Sequence, residues 1–274
     1  MRAMNVTILS IFPGIDLFGK SFTKAGFCVV TGPDLILADD IRDFHPNPGV
    51  FNGVIGGSPC HDFSSLNRNP GTYSQEMLEE FVRIVELSKP DWWLLENVAG
   101  VPDVEIDGYG WQRFSLDLGW FSDYSRLRHF QFGHKDGLIL DVRKGKKGEI
   151  LGTAALANDN RSFAELCAIQ GLPENFDLPS FNVDGKKKAV GNGVPLQMGK
   201  YLASVISSQI YGCDSAAFEE CDAPAAKNCV GPRVDICDAA PIKRCDCKCG
   251  RKVYGRADYA GSACRKRAQR RREK

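Results

Sequence analysis

No stretch of this chain approaches the roughly 18 to 20 continuous apolar residues that a membrane-spanning helix needs, which removes a membrane from the expected partners. A signal-peptide layout is missing too. The apolar opening MRAMNVTILSIFPGIDLF runs straight into glycine-bearing loop chemistry, and the sequence reads as cytoplasmic. Net charge is almost absent, a formal +1 over 274 residues, but the balance is local. Residues 243–274 carry 13 Lys and Arg against Asp246, Asp258 and Glu273, a net of +10, which leaves the remainder at −9. A basic tail on an acidic body suits a polyanionic partner, and a merely solubilising tail is the alternative that charge alone leaves open. No obligate protein partner is indicated.

What is present suffices for a full-sized core, with 43% hydrophobic and 25% charged residues, and one large domain with an appendage is the expected organisation. In a reducing compartment the 11 cysteines are expected as thiols, and clustered ones point to metal binding sooner than to disulfides.

Apolar, β-branched runs at 5–12 and 91–98 read as buried strands and those at 27–32 and 53–57 as further strands, while the stretch from Leu17 to Gly26 reads as a helix and that from 75 to 89 as a strongly amphipathic one. Strands alternating with helices over about 100 residues imply parallel βαβ units, hence an α/β fold with a doubly wound, mostly parallel sheet. Such sheets place ligand sites at the carboxyl ends of their strands. Phe12 to Gly14, Pro59-Cys60 and Glu96-Asn97 fall there. Residues 134–160 read as a hairpin and loop, 161–176 as a helix and turn, and 191–210 as a loop entering a long helix. The Ala/Asp/Pro-rich stretch from 213 reads as linker, with cysteines at 213, 221, 229, 237 and 245.

An isolated cysteine after a strand is most often a small buried hydrophobe. Two features set Cys60 apart. Pro59 fixes its own φ and restricts its predecessor, so Gly57-Ser58-Pro59 forms a stiff loop that presents Cys60 at the strand end. Glu96 ends a neighbouring strand, and a thiol and a carboxylate meeting at one rim make a nucleophile and acid pair.

GGSPCHDFS followed by LLENV resembles the paired catalytic motifs of the DNA (cytosine-5)-methyltransferases, and further segments match in order. IFPGIDLFGKSFTKAGF is similar to the family's first motif, Asp34 to the acidic second, ADDIRDF to the third, and YSRLRHFQFG to the motif with paired arginines. RSFAELCAIQGLPENF and KKKAVGNGVPLQMGKYLASVI resemble the ninth and tenth. The resemblance implies a Rossmann-like, S-adenosylmethionine-dependent fold that methylates C5 of cytosine in double-stranded DNA, with the base flipped out of the stack. It also implies roles. Cys60 would add to C6 of the base and Glu96 would hold N3, while Arg126 and Arg128, alternating on one strand face, would grip O2 and Glu96. For S-adenosylmethionine, Phe12 would lie against adenine, Gly14 would admit the methionine portion, Asp34 would take the ribose hydroxyls, and Asp40 and Ile41 would meet the adenine edge. Asn192 and Val194 would close the methionine end, and Ile15 and Pro59 belong to the same pocket. No residue is nominated to remove the C5 proton.

The sequence departs from the family pattern in three places. Asp16 and Leu17 stand where the first motif has glycines, Tyr124 and His61 replace common glutamines, and only residues 134–160 lie where the family carries a long target-recognition region. A short or relaxed recognition site follows, of the kind that would suit a phage or mobile element shielding its DNA from restriction. One branch of the family acts on tRNA, so an RNA substrate is the alternative; a non-catalytic binding protein is another. The expected organisation is a catalytic domain over 1–212, a linker over 213–242 and a small Cys-rich module over 243–274. In that module Cys245, Cys247, Cys249 and Cys264 supply the four thiols of a tetrahedral Zn2+ site, with Cys237 as a substitute; a basic tail with incidental thiols is the alternative.

Overall fold

The computed structural model describes residues 6–64, 67–156 and 159–213, together with the backbone of two short paired strands at 243–244 and 252–253. Four strands, β1 (Thr7–Ile11), β2 (Cys28–Thr31), β3 (Gly53–Gly56) and β4 (Trp92–Asn97), run parallel in the order β2-β1-β3-β4. Two longer strands, β5 (Gly110–Asp117) and β7 (Leu127–His134), extend the sheet antiparallel in the order β4-β7-β5. The sheet is therefore mixed and mostly parallel, as the alternation of strands and helices implies.

Both faces are covered. Helices α1 (Leu17–Lys24) and α5 (Leu196–Tyr211) bury Phe18, Phe22, Met198 and Leu202 on the face carrying Trp92 and Leu94. Helix α2 (Tyr73–Ser88) buries Met77, Phe81 and Ile84 on the face carrying Trp93 and Leu95. Every residue of β4 is buried, which explains its near-continuous apolar run. Because side chains alternate along a strand, adjacent Trp92 and Trp93 enter opposite cores. Each indole beds on a glycine of a neighbouring strand: Gly53 pairs with Trp92 and Gly133 with Trp93, and a Cβ on either glycine would lie 2.3 or 2.2 Å from the ring. Burying each such ring contributes about 1.5–3 kcal/mol.

Three expectations are corrected. Among the described residues of 134–160 there is no hairpin: after β7 the chain runs without regular structure to a two-residue strand, β8 (Gly152–Thr153), which pairs parallel with β6 (Tyr124–Ser125). Tertiary contacts hold this segment, including an ion pair from Lys147 Nζ to Asp117 at 2.7 Å. Arg126 and Arg128 do not share one strand, because Arg126 occupies the break between β6 and β7. Gly191 and Asn192 belong to a helix, α4 (Val183–Asn192), whose KKKAVGN stretch has too few apolar residues to show a helical period; Asn182 caps it through Gly185 N at 2.8 Å. Helix α3 (Phe163–Ile169) starts on a capping box between Ser162 and Glu165.

Strands β9 (Lys243–Arg244) and β10 (Lys252–Val253) pair antiparallel. The linker and the thiols of Cys237, Cys245, Cys247, Cys249 and Cys264 lie outside the described residues. Among the described residues no group of three or more metal-ligating side chains is present, and no helix is long and apolar enough to cross a membrane.

Candidate active site at the carboxyl ends of the strands

Strand β3 ends at Gly56, and the chain turns out through Gly57-Ser58-Pro59 to Cys60. Cys60 sits at φ −110°, ψ 2°, the sparsely populated bridge region in which many active-site residues are found, and its carbonyl accepts from Phe63 N to open a 3-10 turn over His61–Phe63. Ser58 is buried and clamped. Asn97, at the end of β4, donates through Nδ2 to the Ser58 carbonyl at 3.1 Å and to its hydroxyl at 3.0 Å. The loop backbone passes directly over Glu96, since a Cβ on Gly57 would stand 2.9 Å from Oε2.

Glu96 is 8% exposed and pairs with Arg128, whose Nε lies 2.9 Å from Oε1. Burial pushes the carboxyl up, and Arg128 and then Arg126 oppose the rise. Arg126 is buried beside them. Its guanidinium donates to the Ala155 carbonyl at 2.9 Å, while its Nε has no hydrogen-bond partner. Burial, then the neighbouring Arg128, pull Arg126 down to about 9. An arginine held with an unused donor is ready for an incoming acceptor. Cys60 reaches solvent, yet partial burial and the Glu96 carboxylate push its thiol up, against the pull of Arg128 and Arg126. The four groups therefore form one coupled cluster.

A second cluster lies at the ends of β1 and β2. Phe12, Gly14 and Asp16 all take positive φ, so the chain makes a tight left-handed loop; Gly14 meets that need without strain, and a Cβ there would find nothing within 4 Å. Asp34 braces the loop by accepting from Gly14 N at 2.8 Å and from Ile36 N at 2.9 Å. Asp16, standing where the family pattern has glycine, caps α1 through Gly19 N and accepts from Ser10 and Thr31 hydroxyls, tying β1 to β2. Beside it opens a cleft of about 480 Å³ lined by Thr31, Pro33, Leu37, Asp40 and Phe44 among others. Asp40 lines this cleft but its carboxylate is taken by Arg42, and Ile41 is buried against the α2 core. Across the loop, Gly193 packs so closely on Leu17 that a Cβ would lie 2.6 Å away, with exposed Asn192 and buried Val194 on either side. Ile15 is buried, and Pro59 is partly buried between the two clusters in sequence.

An open cleft, an accessible Gly14 backbone and carboxylates at the strand ends fit an adenosine-bearing cofactor. Sequence reasoning gave no role to Asn97, Asp117 or the Ala155 carbonyl. Asp117 accepts from Ser125 Oγ and Arg126 N and so fixes the break that carries Arg126, a contact only the folded chain brings about.

This fold, with its two clusters at the strand ends, is that of the S-adenosylmethionine-dependent methyltransferases. Over residues 36–105 the chain matches the family model described as C-5 cytosine-specific DNA methylase. It is 28% identical over 123 residues to the type II methyltransferase M1.HphI of Haemophilus parahaemolyticus, covering 35% of this chain and 33% of that protein. To the type II methyltransferase M.NgoFVII of Neisseria gonorrhoeae it is 33% identical over 114 residues, covering 34% and 30%. The match thus spans about a third of these curated relatives. The solved structure of the Entamoeba histolytica methyltransferase EhMeth superposes with a TM-score of 0.56 at 10% identity, covering 76% of this chain and 99% of that one.

Proposed function

We propose that the chain transfers a methyl group from S-adenosylmethionine to C5 of cytosine in double-stranded DNA. The observation that carries this reading is the meeting of Glu96 and Arg128 at 2.9 Å beneath the loop that presents Cys60, with buried Arg126 acting on the same carboxyl. Cytosine C5 is a weak nucleophile. Addition of the Cys60 thiolate to C6 makes the ring enamine-like at C5, and the charge that develops at N3 is met by the Glu96 carboxyl, which burial pushes up. Arg128 holds Glu96, and the unused Nε donor of Arg126 suits the O2 of the base. Once C5 carries the methyl group, a base takes the C5 proton, the C5–C6 double bond re-forms and the C6–S bond breaks to return the Cys60 thiolate.

S-adenosylmethionine, when bound, supplies an electrophilic methyl group. Gly14 and Ile15 would receive its methionine portion, with Asn192 and Val194 closing that end. Phe12 and Asp40 would flank adenine, Asp34 the ribose, and Pro59 would line the boundary with Cys60. Since the target carbon is enclosed in stacked DNA, the base must be flipped out.

Recognition is short or relaxed. The 134–160 segment is used in packing on the body: Leu140, Ala154 and Ala155 are buried, and Lys147 pairs with Asp117. A catalytic unit over 1–212, a linker over 213–242 and a basic zinc-holding module with Cys245, Cys247, Cys249 and Cys264 complete the proposal, the module gripping phosphates without reading bases.

The test is methyl transfer to duplex DNA in competition with tRNA, followed by conversion sequencing of the treated DNA. Methylated cytosines in DNA with little shared context support the reading. Transfer to tRNA alone, or a strict motif of four or more bases, contradicts the substrate or the specificity respectively. Metal content near zero in the purified chain contradicts the zinc module.

A further inference from the structure

Helix α2 begins without a cap of its own. Thr72 occupies the N-cap position but makes no capping bond, its hydroxyl being given to Glu76 at 2.7 Å. The first N–H groups of a helix have no intrahelical partner, and a carboxylate is among the best acceptors for them. Asp62 supplies it from the loop that carries Cys60. Its Oδ2 accepts from Ser74 N at 2.8 Å, at the second position of α2, and its Oδ1 accepts from Gly71 N at 2.8 Å. The bond is reciprocated, since Asp62 N donates to the Ser74 hydroxyl at 3.0 Å, and Ser74 is fully buried. Asn67 adds to the knot by donating to the His61 carbonyl at 3.2 Å. The Asp62 side chain is only 10% exposed, and the backbone N–H groups of Ser74 and Gly71 pull its carboxyl down to about 2, so it is ionised at any working pH.

Cys60 is thereby suspended between two anchors, each two residues away. On one side Ser58 is held by Asn97 at the end of β4; on the other Asp62 is held by the start of α2. Both are held from regular elements, the end of β4 and the first turn of α2, which fix position better than loops do. We infer that Asp62 is a positioning residue for the transfer reaction, setting the height and direction of the Cys60 sulfur over the Glu96–Arg128 pair by capping α2 in trans. The inference rests on the reading of Cys60 as nucleophile. It adds a residue that touches neither substrate nor cofactor. An amide in its place would turn an N–H donor toward Ser74 N or Gly71 N, and both bonds could not survive.

The experiment uses the full chain as wild type, Asp62→Asn, Asp62→Glu and Ser74→Ala. Three quantities are read: the rate of covalent trapping on a duplex bearing 5-fluorocytosine with S-adenosylmethionine, the Kd for S-adenosylmethionine, and alkylation of the Cys60 peptide by iodoacetamide without nucleic acid. Displacing a reacting atom by about 1 Å can cost a hundredfold. Asp62→Asn is expected to slow trapping by about tenfold to a hundredfold while the cofactor Kd stays within about twofold. Alkylation of Cys60 at pH 8 should rise, because a released loop leaves the crowded rim. Asp62→Glu should recover part of the trapping rate, and Ser74→Ala, which deletes only the reciprocal acceptor, should fall between wild type and Asp62→Asn. Trapping and alkylation within about twofold of wild type in Asp62→Asn would overturn the inference. So would a loss of trapping matched by an equal loss of cofactor affinity, the mark of a general structural role. A wild type that does not trap would sink the nucleophile reading instead, while the alkylation comparison would still decide whether Asp62 anchors the loop.

Discussion

The Nε of Arg128 lies 2.9 Å from Oε1 of Glu96, joining the antiparallel strand β7 to the end of the last parallel strand, β4. Side-chain exposures of 20% and 11% make it a largely desolvated pair, so either partner left alone is costly. The same pair faces the Cys60 loop, and stability and chemistry meet in it.

Arg128→Ala should therefore destabilise as well as inactivate. Breaking a buried pair costs roughly 3–5 kcal/mol, and the residual exposure of Arg128 puts this one at the low end or somewhat below. The cost depends on pH. Glu96 is already raised by burial, and losing Arg128 raises it further; a group whose folded pKa lies above its unfolded value contributes stability at low pH that is lost as pH rises through the folded pKa. Urea unfolding should show the variant falling further behind wild type at pH 8 than at pH 5. An equal gap at both would contradict the assignment.

Glu96→Gln should separate reactivity from catalysis. The Glu96 carboxylate is one reason the Cys60 thiol is raised, so its neutralisation lets the thiol titrate lower. Iodoacetamide should label Cys60 faster at pH 8 in this variant, while methyl transfer drops by about a hundredfold or more, the scale of a lost acid–base group. Slower labelling would show that the two groups do not interact.

Trp92 donates from Nε1 to the Tyr211 hydroxyl at 2.8 Å, pinning the end of α5 to the sheet, and burial pushes that phenol up to about 12. Tyr211→Phe leaves a buried indole N–H without a partner and should cost about 1–3 kcal/mol. Activity at saturating substrate should remain within about twofold of wild type. A change in activity without a change in unfolding midpoint would speak against a purely structural bond.

Asp16 is both a cap and a strap, at φ 56° and ψ 43°. Asp16→Ala loses the cap in a conformation unsuited to alanine and should cost about 1–2 kcal/mol. Asp16→Gly loses the same bonds but accepts the positive φ, so its melting temperature should lie above that of Asp16→Ala. The reverse order would mean that backbone conformation does not matter at this position.

The parallel half of the fold was legible because its strands are continuous apolar runs broken by glycine and proline, and because α2 shows a clean helical period. Cys60 and Glu96 could be placed at a common rim by the rule for strand ends alone. What escaped reading depends on partners distant in sequence. Helix α4 hides in a lysine run with few apolar positions, and two-residue strands such as β6 and β8 have no period to show. The path of 134–160 follows from Lys147 meeting Asp117 across 30 residues, and the break at Arg126 from the same aspartate. Asp62 precedes α2 by eleven residues, too far for a capping signature. Asp16 was legible as a departure from glycine, but its bonds to Ser10 and Thr31 were not.

Covalent capture tests the central claim most directly. Wild-type chain incubated with S-adenosylmethionine and a duplex carrying 5-fluorocytosine should gain the mass of the methylated oligonucleotide, with the adduct on the peptide containing Cys60 and none in Cys60→Ser. Methyl transfer to cytosine with no adduct at Cys60, or with an adduct that persists in Cys60→Ser, would contradict the account.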